Sequence, residues 1–208
     1  MSEVERAKAV MAPAFAAMRG GFAGNLARVA PDALFRMCHP FGDLRGAKAY
    51  VSNEFAPLKS ALKDLERQEF IRIAGFDADG ALWVGSYGQY AGRWLASWLG
   101  IPATGRSAVM RFHEFYRIEG DTCVEVQAIW DIPEMMMQAG AWPMAPQLGR
   151  FLHAPAPMSQ DGLSPHDASI SEVSGRHVID MLVGMTRHPS QGGPEVMELE
   201  RFWHPSFM

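Results

Sequence analysis

Several large classes of protein are excluded by what the chain has little of. Its 208 residues hold only two cysteines, Cys38 and Cys123, too few for a disulfide framework, and a reducing cytoplasm is the setting they imply. Charge is modest: 20% of residues are charged, the net charge is −4, and no cluster of Lys and Arg stands out. Nucleic acid and anionic membrane are therefore poor partners. No apolar run approaches the roughly 20 residues that span a bilayer. The opening Ser2-Glu-Val-Glu-Arg6 has no apolar core of the secretory type. The seven histidines are scattered, with neither HExxH nor CxxC spacing, so no metal is expected. No glycine-rich phosphate loop follows a strand and opens a helix, and no other cofactor is expected either.

What the chain does have is apolar bulk, with 48% hydrophobic residues and fourteen methionines. Methionine is soft core filler, and it also lines pockets for flat, variable ligands. Glu3 to Arg19 reads as a helix, and Phe22 to Val29 as a further turn or two. Pro31-Asp32 is expected to start a short helix through Cys38. Ala47, Tyr50, Val51, Phe55, Leu58 and Leu62 recur at helical spacing, so an amphipathic helix runs from about Ala47, with Pro57 kinking or dividing it. From Gln68 the period changes to that of strands. Phe70 to Ile73 is one strand, Asp77-Ala-Asp-Gly80 a hairpin turn, and Ala81 to Trp98 one or two strands. Gly85, Gly88 and Gly92 mark bulges or bends there. Ser107 to Ile118 and Thr122 to Ile132 form a further pair around Glu119-Gly-Asp121. Helices followed by an antiparallel sheet predict an α+β domain over residues 1–145. Residues 146–172 read as a Pro/Ser/Gly-rich linker or extension, and 173–208 as a helical extension. Leu34-Phe-Arg36-Met-Cys-His39-Pro40 aligns without gaps on Leu199-Glu-Arg201-Phe-Trp-His204-Pro205, so the extension could also be the start of a second such domain.

Gly100-Ile-Pro-Ala-Thr-Gly-Arg106, Arg111-Phe-His-Glu-Phe-Tyr-Arg-Ile118, Glu125, Asp131 and Gln138-Ala-Gly140 together resemble the SnoaL-like polyketide cyclase family. In that family a proline-containing loop ending Thr-Gly-Arg precedes a strand ending Tyr-Arg-Ile. A strand carrying Glu and then Asp follows, and a helix ending Gln-Leu-Gly closes the pattern. The resemblance covers about Asp32 to Gly140. It implies the cone-shaped, cystatin-like α+β barrel shared with ketosteroid isomerase and nuclear transport factor proteins, in which a curved antiparallel sheet wraps helices around an apolar pocket. It also implies cofactor-independent ring closure of a polyketide-like carbonyl compound, with Asp131 at the position of the acid/base aspartate. Some relatives only bind ligands, so a non-catalytic binding or dimerisation module on the same fold is the alternative.

Two readings of Asp131 stay open. Beside Ile129, Trp130 and Met135 to Met137 it could be desolvated and its pKa raised, as proton transfer requires. Before Ile132-Pro133 it is equally well placed to cap a helix, which would lower the pKa. Arg111, His113, Glu125 and Gln127 are candidate polar groups of the pocket. Alternation puts Glu125, Gln127 and Asp131 on one face of their strand. A three-residue loop at Glu119 to Asp121, the preferred reading, pairs His113 with Gln127; a two-residue loop sends His113 to the other face. The expected site is thus Asp131 and His113 as catalytic groups, with Arg111, Gln127, Tyr90, Trp94, Trp98 and Met136 binding a small apolar ligand. A homodimer is the expected assembly.

Overall fold

The computed structural model describes residues 2–18, 26–146, 156–158, 167–188 and 190–206. It divides into two compact units, 1–163 and 164–208. Of the expected turns from Phe22 to Val29, Leu26–Arg28 forms a 3-10 turn, while the residues before it, and most of the stretch 146–172, lie outside the described residues.

The first unit is an α+β structure on a six-stranded sheet. Helix α1 (Glu3–Met18) is followed by β1 (Val29–Met37) and β2 (Gly42–Arg45). A helical run then proceeds without a break through α2 (Ala47–Tyr50), a π turn (Val51–Phe55) and α3 (Ala56–Ala61). Strands β3 (Leu62–Phe76), β4 (Leu82–Trp94), β5 (Ser107–Glu119) and β6 (Thr122–Trp130) follow, and α4 (Ile132–Gln138) closes the unit. Strand order is β2-β1-β6-β5-β4-β3. Every pairing is antiparallel except β1 with β6, so the sheet is mixed rather than antiparallel throughout, and it does not close. The central helical run packs on β1 at its start and on β3 at its end. The sheet therefore curves over it, and the buried core lies between them.

One element differs from its sequence reading. Pro31 to Met37 belongs to β1, not a helix, because Ala33, Phe35 and Met37 turn inward while Asp32 and Arg36 stay exposed. That is the period of a strand, and pairing on both edges overrides weak helix propensity. Pro57 does not divide the central helix. The π turn just ahead of it relaxes the regular bonding that a proline ring excludes. The bulges lie in β3 rather than β4, at Lys63/Glu66 and at Glu69/Ile71, facing Gly92 and Gly88. A Cβ on Gly88 would sit 2.1 Å from the Gln68 carbonyl oxygen, which is why the position has none.

In the second unit α5 (Ala168–Met185) is capped by Asp167, which accepts from the Ser169 and Ile170 amides at 2.8 and 3.3 Å. Two short 3-10 turns follow, at Pro194–Met197 and Leu199–Arg201. Leu199 to Pro205 thus takes a conformation unlike that of Leu34 to Pro40, which is strand and turn. No helix of the described residues is long and apolar enough to cross a membrane.

Candidate active site

Register decides which side chains meet. The β5–β6 hairpin turns on two residues, Gly120 and Asp121, because Glu119 pairs with Thr122. A bulge at Val124 then restores the parity that a two-residue turn removes, so His113 faces Ile129 and stands on the side of Gln127. Met110, Phe112, Glu114 and Tyr116 of β5, with Val126, Ala128 and Trp130 of β6, point into the core. Arg111, His113 and Gln127 therefore stand on the outer face, and Asp131 joins them there. The expected pocket is split by the sheet, with these four outside and Tyr90, Trp94 and Trp98 buried within. Met136 is partly buried against the core.

Outside, Tyr87, Arg111, His113, Ile129, Trp130, Asp131 and Pro133 line an open hollow of about 510 Å³. One oxygen of Asp131 accepts from Arg111 Nε and Nη2 at 3.0 and 2.6 Å, and the other accepts from the Glu134 amide at 3.1 Å. Asp131 is thus both helix cap and ion-pair partner, with its two oxygens engaged. The His113 ring lies 4.7 Å from that of Tyr87. Burial, and then Arg111, lower its pKa against the opposing pull of Asp131. Gln127 turns to Glu125 instead, at 3.0 Å, and takes no part in the hollow.

Inside, Glu114 is held by five donor contacts. Arg67 Nε and Nη2 reach it at 3.2 and 2.7 Å and Tyr116 at 2.6 Å on one oxygen; Tyr90 at 2.8 Å and the Trp130 indole at 3.0 Å reach the other. Burial alone would raise its pKa, but the Arg67 charge and these hydrogen bonds outweigh it and hold the carboxyl below the usual range. Arg67 also lies 4.0 Å over the Phe112 ring and donates to Ser86 at 2.9 Å. This carboxylate is saturated, and its chemistry is that of a fixed charge.

Glu54 is its opposite. It sits in the π turn, only 1% exposed, and neither of its oxygens has a hydrogen-bond partner among the described residues. Burial pushes its pKa up to about 7. Its charge is felt by Cys38 and by Tyr50, one helical turn away. Cys38 Sγ meets the backbone of Trp130 (the amide donates at 3.4 Å), and Tyr50 packs edge-on to the Trp130 ring at 6.5 Å. Phe41, Trp98 and Tyr90 complete the aromatic wall around Trp130, with ring separations of 5.6, 6.5 and 5.5 Å. A dry carboxyl that titrates near neutrality beside aromatic rings has the properties of a general acid/base.

Reasoning from sequence missed Glu54, Glu114 and Arg67. A signal for Glu54 was present: position 54 falls on the same helical face as Tyr50, Leu58 and Ala61, and glutamate there is out of pattern. Glu114 shares the parity of Phe112 and Tyr116, and it too interrupts an apolar face.

No family model and no curated protein matches the chain. Solved structures do. AclR from Streptomyces galilaeus, provisionally named a hydroxylase, is 19% identical with a TM-score of 0.56, over 69% of this chain and 90% of that one. A protein from Jannaschia sp. CCS1, provisionally named a SnoaL-like polyketide cyclase, is 15% identical with a TM-score of 0.56, over 69% of this chain and 98% of that one. An NTF2-like protein of unknown function from Burkholderia pseudomallei K96243 is 17% identical with a TM-score of 0.51, over 66% and 97%. At this level of identity the likeness is one of architecture: the chain is built on the α+β fold of the SnoaL-like and NTF2-like proteins.

Proposed function

We propose that this chain is a cofactor-independent acid/base enzyme of the cyclase or isomerase kind, acting on a small apolar carbonyl compound inside the cone. Glu54 is the group that moves the proton. The observation that carries this reading is the state of Glu54, whose two carboxylate oxygens are shielded from water and unpartnered among the described residues. A carboxyl with a pKa of about 7 is present in both forms at neutral pH. Its ionised form takes a proton from the carbon beside the substrate carbonyl, and the C–H electron pair moves onto the carbonyl oxygen as an enolate. The acid so formed then returns the proton, either to another carbon of the enolate or to the oxygen of a second carbonyl that the enolate carbon attacks. General acid/base catalysis of this sort contributes about 10²–10⁴-fold. The SnoaL-like fold, shared with proteins provisionally named polyketide cyclases, fits this chemistry. Asp131, the position matched to the family's aspartate, is assigned instead to capping α4 and holding Arg111.

The test is exchange of the acidic C–H protons of β-tetralone for deuterium, followed by proton NMR with the full chain. Acceleration by the wild type, reduced at least about a hundredfold in Glu54→Gln, supports the reading. Undiminished exchange in the variant overturns it.

The outer sheet face fits a second copy of the chain. Ile73, Phe115 and Ile129 are 44, 42 and 64% exposed there, a degree of apolar exposure that two copies meeting face to face would remove. Sedimentation equilibrium should give a dimer for the wild type and a monomer for Ile129→Glu; a wild-type monomer refutes the assignment.

A further inference from the structure

Tryptophan indoles that are buried in a protein normally find an acceptor. Here Trp83 donates to Asp77 at 2.8 Å, Trp94 to the Ala96 carbonyl at 2.8 Å, Trp130 to Glu114 at 3.0 Å and Trp142 to the Ala145 carbonyl at 3.2 Å. Trp98 is 3% exposed, yet its indole N–H meets no acceptor among the described residues. Its backbone is nonetheless held firmly. Leu99 and Gly100 both take positive φ, 53° and 77°, in a two-residue turn. Trp98 and Ile101 close that turn with reciprocal N–H to carbonyl bonds of 3.1 and 2.8 Å. A leucine in the left-handed region is strained, and such strain persists only where the surroundings over-determine it.

The unmet donor and the unmet carboxyl are connected through two rings, Trp130 and Tyr50. Trp98 packs against Trp130, the ring that Tyr50 also touches, and Tyr50 lies one helical turn before Glu54. Two buried polar groups, an N–H and a carboxyl, are thus carried to one aromatic cluster by separate elements, the turn after β4 and the central helix. Phe41 touches both Trp98 and Trp130, at 6.3 and 5.6 Å, and it is the half-buried member of that wall.

We propose that the Trp98 indole N–H is the hydrogen-bond donor for the carbonyl oxygen of the ligand, and that the ligand is a flat aromatic ketone. It would pass Phe41, lie against Trp130 and present its enolisable carbon to Glu54. This deepens the assignment of Glu54 and rests on it. As the proton leaves carbon, charge grows on the oxygen, and an N–H fixed in a dry site stabilises that charge without reorganising.

The experiment compares β-naphthol, which carries an oxygen at the position of the ketone, with naphthalene, which has none. Both are titrated into the full-length wild type and Trp98→Phe. The wild type is expected to bind β-naphthol about tenfold more tightly than naphthalene, the size of one well-made hydrogen bond. Trp98→Phe should lose that preference while its affinity for naphthalene changes little. In the ¹⁵N-labelled wild type, the Trp98 indole resonance, assigned through its contacts to Phe41, should move downfield with β-naphthol only. That spectrum decides alone if the variant does not fold. A preference that survives in Trp98→Phe, an indole resonance that does not move, or a wild type that binds neither compound overturns the proposal. Failure of the Glu54 reading looks different: β-tetralone exchange persists in Glu54→Gln while the naphthol preference still depends on Trp98.

Discussion

Replacing Glu54 by glutamine should change how stability depends on pH, by an amount that follows from the burial of one side chain. Its carboxyl titrates at about 7 in the fold instead of its ordinary 4.5, so the native state holds on to the proton more tightly than the unfolded chain. Below about pH 4.5 the group is neutral in both states and carries no electrostatic penalty. Across the window between these values the unfolded chain ionises first, and stability falls as pH rises. Above about pH 7 the group is ionised in both states, and the fold bears the whole cost of about 3 kcal/mol. With 1% of the residue exposed, solvent offers little relief. Glutamine keeps the shape and removes the titration, whereas Glu114, Glu134 and His113 titrate in both proteins and cancel in the comparison. From about pH 5 to about pH 8.5, Glu54→Gln should therefore gain about 2.5 kcal/mol relative to the wild type. Urea unfolding followed by tryptophan fluorescence at each pH measures this directly. If the two stability curves run parallel, Glu54 is not in a dry site, and the acid/base assignment falls with it.

Four further substitutions test the rest of the structure. Glu114→Gln strips the counter-charge from buried Arg67 and should cost about 3–5 kcal/mol in urea unfolding. Because Glu114 is held below its ordinary 4.5, the stability it lends is present above that value and lost as pH falls, so acid unfolding of the wild type should be the steeper of the two. Gly88→Ala drives a methyl into the Gln68 carbonyl and the Phe112 ring and should cost more than about 4 kcal/mol or abolish soluble expression, whereas Gly80→Ala, with open space around it, should cost about 1 kcal/mol. Asp131→Ala should lose about 1 kcal/mol with the α4 cap yet leave β-tetralone exchange intact; a collapse of exchange would return the chemistry to the outer hollow.

Much of the sheet was legible because its strands are long and strictly alternating. Met110, Phe112 and Tyr116, broken only by Glu114, and then Val126, Ala128 and Trp130 give period two, and Asp77-Ala-Asp-Gly80 closes its hairpin with Asp77 accepting from the Asp79 and Ala81 amides. Alternation separates two faces but does not say which is inside. Alternation placed Glu125, Gln127 and Asp131 on one face; Arg111 and His113 join them through the bulge at Val124 rather than through the three-residue loop preferred from sequence, and that face is the outer one. The deciding facts are long-range: β6 pairs in parallel with β1, and the central helix packs on the side of Trp130 and Glu114. Strand β1 escaped notice for the same reason. Its partners are β2 and, more than ninety residues on, β6, and Pro31-Asp32 imitates a helix start.

Two glutamates on the inward side of one fold have been given opposite tasks by their surroundings. Glu114 accepts from Arg67, Tyr90, Tyr116 and Trp130, so ionisation is favoured and its proton has nothing to do. Glu54 has no such donors among the described residues, so desolvation governs it and its proton is available near neutral pH. The first arrangement stabilises what surrounds it: it fixes Tyr90 and Trp130, the second of which packs against Tyr50, one helical turn before Glu54. The second leaves a polar group buried at a cost to the fold, which proteins retain chiefly where the group has work to do. Titratable groups of one kind whose pKa values are driven apart by their environments are a recognised mark of acid/base sites. Trp130 links the two: its indole donates to Glu114, and its ring packs against Tyr50, one helical turn before Glu54.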